Sequence, residues 1–407
     1  MKFRHIDILN VSLRFKKTET LVGKLATKDG RTYFEYDARF MESGIQISPF
    51  NLPLKSGLIR NEDTTFDGLF GVFNDSLPDG WGKLLIDRAM RDRNVAHQSL
   101  TALDRLSFVG KRGMGALIYS PEQHFETQEI ETIKLDAIAQ DVDEVLKGSV
   151  TEVIERLQAF GGSSAGARPK ILVGYDRNTN SLISGTDNLP AHSEPWIIKF
   201  PSSSDPPDIA QIEYAYALMA KAANVEMTET QLFSGNRGRY FGTSRFDRQG
   251  EDRLHTHTAA GLLHSSHRYP SLDYSDLMNR TLYLTHDHRE LEKVFKLCCF
   301  NVLAHNRDDH SKNFSFLMNE IGNWRFAPAY DLTFSFGPGG QQSTTVMGEG
   351  QSPKRSHLSQ LAAEFDLKKY ERVIDEVENA ISNWATFASE ANVSPTSKKL
   401  IAKYLSG

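Results

Sequence analysis

The stretch Asn306-Arg307-Asp308-Asp309-His310-Ser311-Lys312-Asn313, followed further on by Pro328-Ala329-Tyr330-Asp331-Leu332, decides how the chain is read. Asp308 and Asn313 stand in the Asp-x-x-x-x-Asn spacing of a phosphotransfer loop. In such a loop the aspartate takes the proton of an acceptor hydroxyl and the asparagine oxygen holds a metal ion. A second acid, placed beyond a short β-hairpin, completes the metal site, and Asp331 fits that place. Phosphoryl transfer needs this grouping because the charge on the transferring phosphates must be offset by a metal ion and cations. A helix delivers the loop: Leu291, Val294, Phe295, Cys298 and Val302 recur at helical spacing with a wide apolar face. A competing chemistry uses His305, Asp308, Asp309 and His310 as zinc or manganese ligands of a hydrolase. No His-Glu-x-x-His motif supports it. His255 and His257 are expected to be surface or hydrogen-bonding residues rather than ligands.

Upstream, Gly161-Gly162-Ser163-Ser164-Ala165-Gly166-Ala167 leads into Arg168-Pro169-Lys170. This run has neither a Walker P-loop nor a Gly-x-Gly-x-x-Gly pattern. Its small residues let backbone N–H groups approach phosphates, with Arg168 or Lys170 supplying charge. Lys199, in the strand-like run Trp196-Ile197-Ile198-Lys199-Phe200, occupies the place of a phosphate-pairing lysine. Glu213, on the amphipathic helix marked by Ile209, Ile212, Tyr216 and Met219, is its candidate partner.

The N-terminal region reads as short strands. Leu9–Phe15 alternates, Val22–Ala26 continues the trend, Lys28-Asp29-Gly30 signals a hairpin and Thr32–Tyr36 is β-prone. Pro78-Asp79-Gly80 punctuates before a helix with Leu84, Leu85 and Ala89 on one face. Residues 121–134 are acidic and polar and read as a linker. Helix is expected over 139–160, strands over Ile171–Tyr175, Pro195–Phe200 and Arg239–Arg248, and a strand pair over Phe314–Leu317 and Trp324–Phe326. At about 150 residues per domain, 407 residues predict two or three units. We expect an α+β fold: a β-rich N-terminal subdomain (1–130), a kinase-like N-lobe carrying the Gly-rich loop (131–248) and a helical C-lobe carrying the catalytic loop (249–407).

Composition narrows the function. The net charge of −5, from 47 Lys and Arg against 52 Asp and Glu, disfavours direct binding of nucleic acid. The only two cysteines, Cys298 and Cys299, are adjacent in an apolar run, so they staple nothing and read as buried thiols of a reducing compartment. The N-terminus lacks the pattern of a signal peptide and no apolar run is long enough to span a membrane. A cytoplasmic protein without membrane association is expected.

Six motifs in order resemble the HipA-type serine/threonine kinases, toxins of bacterial toxin–antitoxin pairs. They are FNDSLPDGWGKLLIDR (73–88), SSAGARPK (163–170), IIKFP (197–201), RFDR (245–248), NRDDHSKNFSF (306–316) and PAYDL (328–332). The resemblance implies Asp308 as catalytic base, with His310 and Lys312 in the catalytic loop and Lys312 placed to stabilise the transferring phosphate. It implies Mg²⁺ on Asn313 and Asp331, and ATP held by Lys199, by Phe246 near the adenine hinge, and by Ser164, Ala165, Gly166 and Lys170. It also implies autophosphorylation at Ser163 or Ser164, which would add roughly two negative charges where ATP phosphates must lie. Ser244 stands where relatives often carry glutamate, and Asp309 replaces a glycine of some members. The implied target is an aminoacyl-tRNA synthetase or another translation factor. The implied partner is a HipB-like helix-turn-helix antitoxin, through which DNA would be bound indirectly. A small-molecule kinase of the same fold and a non-catalytic, antitoxin-binding corepressor are the alternatives.

Overall fold

In the computed structural model, Asp29 and Gly30 both adopt positive φ (52° and 70°), the geometry of a tight hairpin turn. They join the strands Thr18–Lys28 and Arg31–Tyr36, with Lys28 facing Arg31. The structure describes residues 3–123, 132–148, 153, 154, 157, 168–185, 189–266 and 269–405. The hairpin anchors a five-stranded antiparallel sheet, completed by Ile8–Phe15, Leu58–Arg60 and Leu117–Ser120. Leu9, Val11 and Leu13 alternate into its core beside Leu25, Phe34 and Phe73.

A second antiparallel sheet has six strands in the order Thr230–Ser234, Arg239–Ser244, Ser193–Lys199, Lys170–Asp176, Ser181–Ser184 and Thr132–Ile133. The last of these comes from the acidic segment expected to be a linker. Helix begins at Leu135 and runs to Lys147, with Ile138, Val142 and Val145 buried; the remainder of the expected helix to 160 falls almost wholly outside the described residues. The helix Gly80–Arg91 packs Trp81, Leu85 and Ala89 into this second core rather than into the N-terminal one. The chain's first domain therefore reaches across and completes the next.

The third core is mainly helical. The helix His288–Leu303 buries Leu291, Val294, Phe295 and both cysteines, neither of which forms a disulfide. The helix Ile209–Ala222 packs Ile212, Tyr216 and Met219 against it, and the C-terminal helices Tyr370–Ser382 and Trp384–Glu390 close the far side. A three-stranded sheet of His255–Thr258, Ser315–Met318 and Trp324–Phe326 lies on its surface, including the predicted strand pair. Among the described residues no helix is long and apolar enough to cross a membrane.

Gly71 and Gly261 weld the N-terminal domain to the helical one. A Cβ on Gly71 would lie 2.0 Å from the Gly261 carbonyl oxygen, so only glycine permits this approach. Beside it, Asp75 accepts bonds from the Thr258 amide (2.7 Å) and hydroxyl (2.6 Å) and from His257 Nδ1 (2.6 Å). Ser48 meets the other ring nitrogen of His257 at 2.9 Å. His255 lies 2.9 Å from the Ile47 carbonyl. Both histidines are fully buried and hydrogen-bonded, not superficial.

Candidate active site

Register on the second sheet places Lys170 directly opposite Lys199. Trp196 and Ile198 enter the apolar core while Lys199 takes the alternate face. There its ammonium bonds Glu213 on the helix Ile209–Ala222 and Asp331 from the helical domain. Burial opposes its charge, but these two carboxylates outweigh it and raise the Lys199 pKa. Lys170 has no such excess. Its pKa is lowered chiefly by burial and further by the Lys199 charge, against the pull of Asp331 and Glu213. Arg168 joins the group, 3.0 Å from Asp205 and 3.6 Å from Glu213.

Asp331 is the acid at the centre. Its backbone sits at φ 55°, a left-handed conformation that costs free energy in a non-glycine residue. Burial would raise its pKa, but Lys199, Lys170 and Arg168 overcome that and hold the carboxyl far below the ordinary range. The neighbouring Tyr330 hydroxyl bonds the Lys312 carbonyl at 2.6 Å and Ser315 at 2.6 Å. It thereby fixes the segment carrying Asp331 to the loop carrying Asp308.

The loop itself is tightly ordered. Asn313 Nδ2 donates to the Asp308 carbonyl (2.7 Å), which orients the amide and leaves Oδ1 for another partner. Asp308 is shifted the opposite way from Asp331: burial raises its pKa and the Asp331 charge adds to the rise, while His310 and Arg168 moderate it. One aspartate is thus held ionised and the other made a stronger base, the division that general-base chemistry beside a metal ion requires. Asn313 Oδ1 and the ionised Asp331 are hard oxygen donors of the kind Mg²⁺ prefers.

A cavity of about 440 Å³ opens on Asp308 and His310, walled by Ser265, Leu272 and Ser311 and rimmed by Tyr269 and Phe336. Among the described residues, none of the clustered lysines lines it.

The hydrolase alternative does not assemble. His305 stacks on Phe334 (5.2 Å) and packs on Tyr404 (4.9 Å). Asp309 points into the core, accepting from Tyr274 (2.7 Å), the Ser343 amide (3.0 Å) and the Thr344 amide (3.1 Å). Among the described residues no three His, Cys, Asp or Glu side chains gather as metal ligands.

Ser163, Ser164, Ala165 and Gly166 lie outside the described residues. Phe246 stacks on Tyr330 with ring centroids 5.2 Å apart and joins Leu254, Leu317 and Ala327, next to the residue that precedes Asp331. The strand expected to run through Arg248 stops at Ser244. Beyond it the RFDR charges face the N-terminal domain. Asp247, fully buried, binds Arg245 (2.7 Å), Arg248 (2.5 Å) and the Gly115 amide (2.6 Å). Both arginines reach the Gly113 carbonyl, at 3.2 and 3.1 Å. Sequence reasoning also missed Asp79, whose carboxylate takes both oxygens to Lys312 Nζ at 2.7 Å each.

Comparison with known proteins gives the family and the fold. Residues 13–120 match the HipA N-terminal domain and residues 162–385 the HipA-like C-terminal domain. The chain belongs to the HipA-type toxin family. Its fold is that of HipA from Shewanella oneidensis MR-1, solved as a toxin–antitoxin complex with HipB and operator DNA. That match has a TM-score of 0.71 at 18% identity and covers 98% of this chain and 95% of that one. A Helicobacter pylori proinflammatory kinase, CtkA, matches with a TM-score of 0.35 and 12% identity over 51% of this chain and 92% of its own. Within the HipA frame, the five-stranded sheet belongs to the matched N-terminal domain, and Lys170, Lys199, Glu213, Asp308, Asn313 and Asp331 all fall within the C-terminal one.

Proposed function

We propose that this HipA-type chain is a Mg²⁺-dependent protein kinase that transfers the γ-phosphoryl group of ATP to a serine or threonine hydroxyl. Lys199 carries the reading: an ammonium on the six-stranded sheet shared between Glu213 and Asp331, both on segments packed into the helical core. Two buried lysines facing each other are costly, and a polyanion between the lobes repays that cost. Lys170 and Lys199 would meet its phosphates, with Phe246 toward the base. Asn313 Oδ1 and Asp331 would hold Mg²⁺, which offsets charge on the transferring group.

The acceptor hydroxyl would approach Asp308 from the cavity that this residue shares with His310. Asp308 takes the hydroxyl proton as the new O–P bond forms and the bond to the departing diphosphate oxygen breaks. The aromatic and hydroxyl-bearing walls of that cavity suit a stretch of polypeptide. The proposed target is an aminoacyl-tRNA synthetase or another protein of translation. The proposed partner is a HipB-like helix-turn-helix antitoxin, as in the Shewanella complex, with DNA reached through it and the cytoplasm as the site of action. Ser163 and Ser164 are the proposed sites of autophosphorylation.

The test is mass spectrometry of the protein and its Asp308→Ala variant after incubation with Mg-ATP. Phosphate on Ser163 or Ser164 in the first and none in the second is expected. No nucleotide binding by either would sink the proposal.

A further inference from the structure

We infer that Asp79, a residue of the N-terminal domain, is a positioning residue of the phosphotransfer centre, acting through Lys312. This inference rests on the phosphotransfer reading above.

Asp79 is the N-cap residue of the helix Gly80–Arg91, yet its side chain makes no capping bond. An aspartate here ordinarily satisfies an amide of the first turn, worth about 1 kcal/mol. Instead both oxygens turn to Lys312 Nζ, at 2.7 Å each. The helix forgoes local stabilisation for a bond across 233 residues of chain.

Lys312 lies between Asp308 and Asn313, with its ammonium almost wholly buried (side chain 6% exposed). Its backbone is pinned by Tyr330, whose hydroxyl donates to the Lys312 carbonyl. The flexible stem alone would leave the ammonium without a fixed direction. Asp79 prevents that. An ammonium has three donors; Asp79 takes two, which fixes the direction of the third. On the phosphotransfer reading, that third donor would be offered to an oxygen of the transferring phosphoryl group. Lys312 is buried with its charge, so the N-terminal domain's carboxylate is what makes that burial sustainable.

The experiment measures Mg-ATP turnover (ADP release and phosphate incorporation), the KM for ATP and the melting temperature. The full-length variants are Asp79→Asn, Asp79→Ser, Asp79→Glu, Lys312→Met and the Asp79→Asn/Lys312→Met pair. Serine is a good N-cap without charge, so Asp79→Ser separates the helix from the ion pair. We expect Asp79→Asn and Asp79→Ser to lower turnover roughly tenfold or more, as loss of an orienting partner does. The KM for ATP should stay within about twofold, and Asp79→Ser should melt near the wild type. Asp79→Glu should recover part of the loss, and the pair should be no slower than Lys312→Met alone. Wild-type turnover in Asp79→Ser, a loss confined to KM, or additive losses in the pair would overturn the inference. If wild-type turnover is itself unaffected by Asp308→Ala, the phosphotransfer reading fails and takes the inference with it.

Discussion

Lys170 and Lys199 are direct cross-strand partners, both buried, and their pKa values are shifted in opposite directions, Lys170 down and Lys199 up. Like charges placed opposite each other destabilise a sheet. Their removal should therefore have unequal effects. Lys199→Met leaves Glu213 and Asp331 without their shared cation, so it should lower both the melting temperature and turnover, the latter by about 10²–10³-fold. Lys170→Met relieves repulsion and should leave the melting temperature unchanged or higher while weakening ATP binding. Thermal melts and nucleotide titrations of the two variants would check this; equal destabilisation would contradict it.

Asp309 predicts a pH effect on stability. Burial, against the hydrogen bonds it receives, pushes its pKa up to about 7 from an ordinary 3.8. Between those values the folded protein holds a proton that the unfolded chain has released. Its contribution to stability therefore falls as pH rises from about 4 through about 7. Asp309→Asn keeps an oxygen for the Ser343 and Thr344 amides and removes the titration. The melting temperature of the wild type relative to this variant should decline steadily across that window. A pH-independent difference would show that Asp309 is not the titrating group.

Asp247 is expected to be among the most damaging single sites. Asp247→Ala strands the buried Arg245 and Arg248 guanidinium groups and frees the Gly115 amide. Removing one partner from such a cluster costs about 3–5 kcal/mol. Urea denaturation at neutral pH would measure it, and a loss below 1 kcal/mol would mean that water replaces the carboxylate.

The seam at Gly71 predicts a steric effect distinct from these charges. Gly71→Ala places a methyl group against the Gly261 backbone, and overpacking of this kind costs about 1–3 kcal/mol. The two domains should also part more readily. Faster cleavage by limited proteolysis at the domain junction, with secondary structure retained, is the outcome to look for.

Much of the local structure was legible from the sequence because local physics decides it. Asp29-Gly30 specified its own turn, and the spacing of Leu291, Val294 and Phe295 specified a helix face. Strand alternation separated Lys199 from Trp196 and Ile198, and Glu213 on the following helix was its candidate partner. The rest depended on surfaces meeting. Nothing near Pro78-Asp79-Gly80 shows that Asp79 abandons its cap for Lys312. Arg245, Asp247 and Arg248 read as a hinge because Gly113 and Gly115, which they grip, are remote in sequence. His255 and His257 were expected at the surface or in hydrogen bonds; they are hydrogen-bonded, and the N-terminal domain that buries them is a tertiary fact.

The paired cysteines give the molecule an internal clock. Cys298 and Cys299 are the only thiols in the chain, both sealed in the helical core, where burial raises their pKa well above that of a free thiol. A thiol so placed reacts with an alkylating reagent only when the core opens around it. The rate at which the native protein takes up such a label thus times the opening of the helical domain alone, and ligands or variants that tighten that domain will slow it.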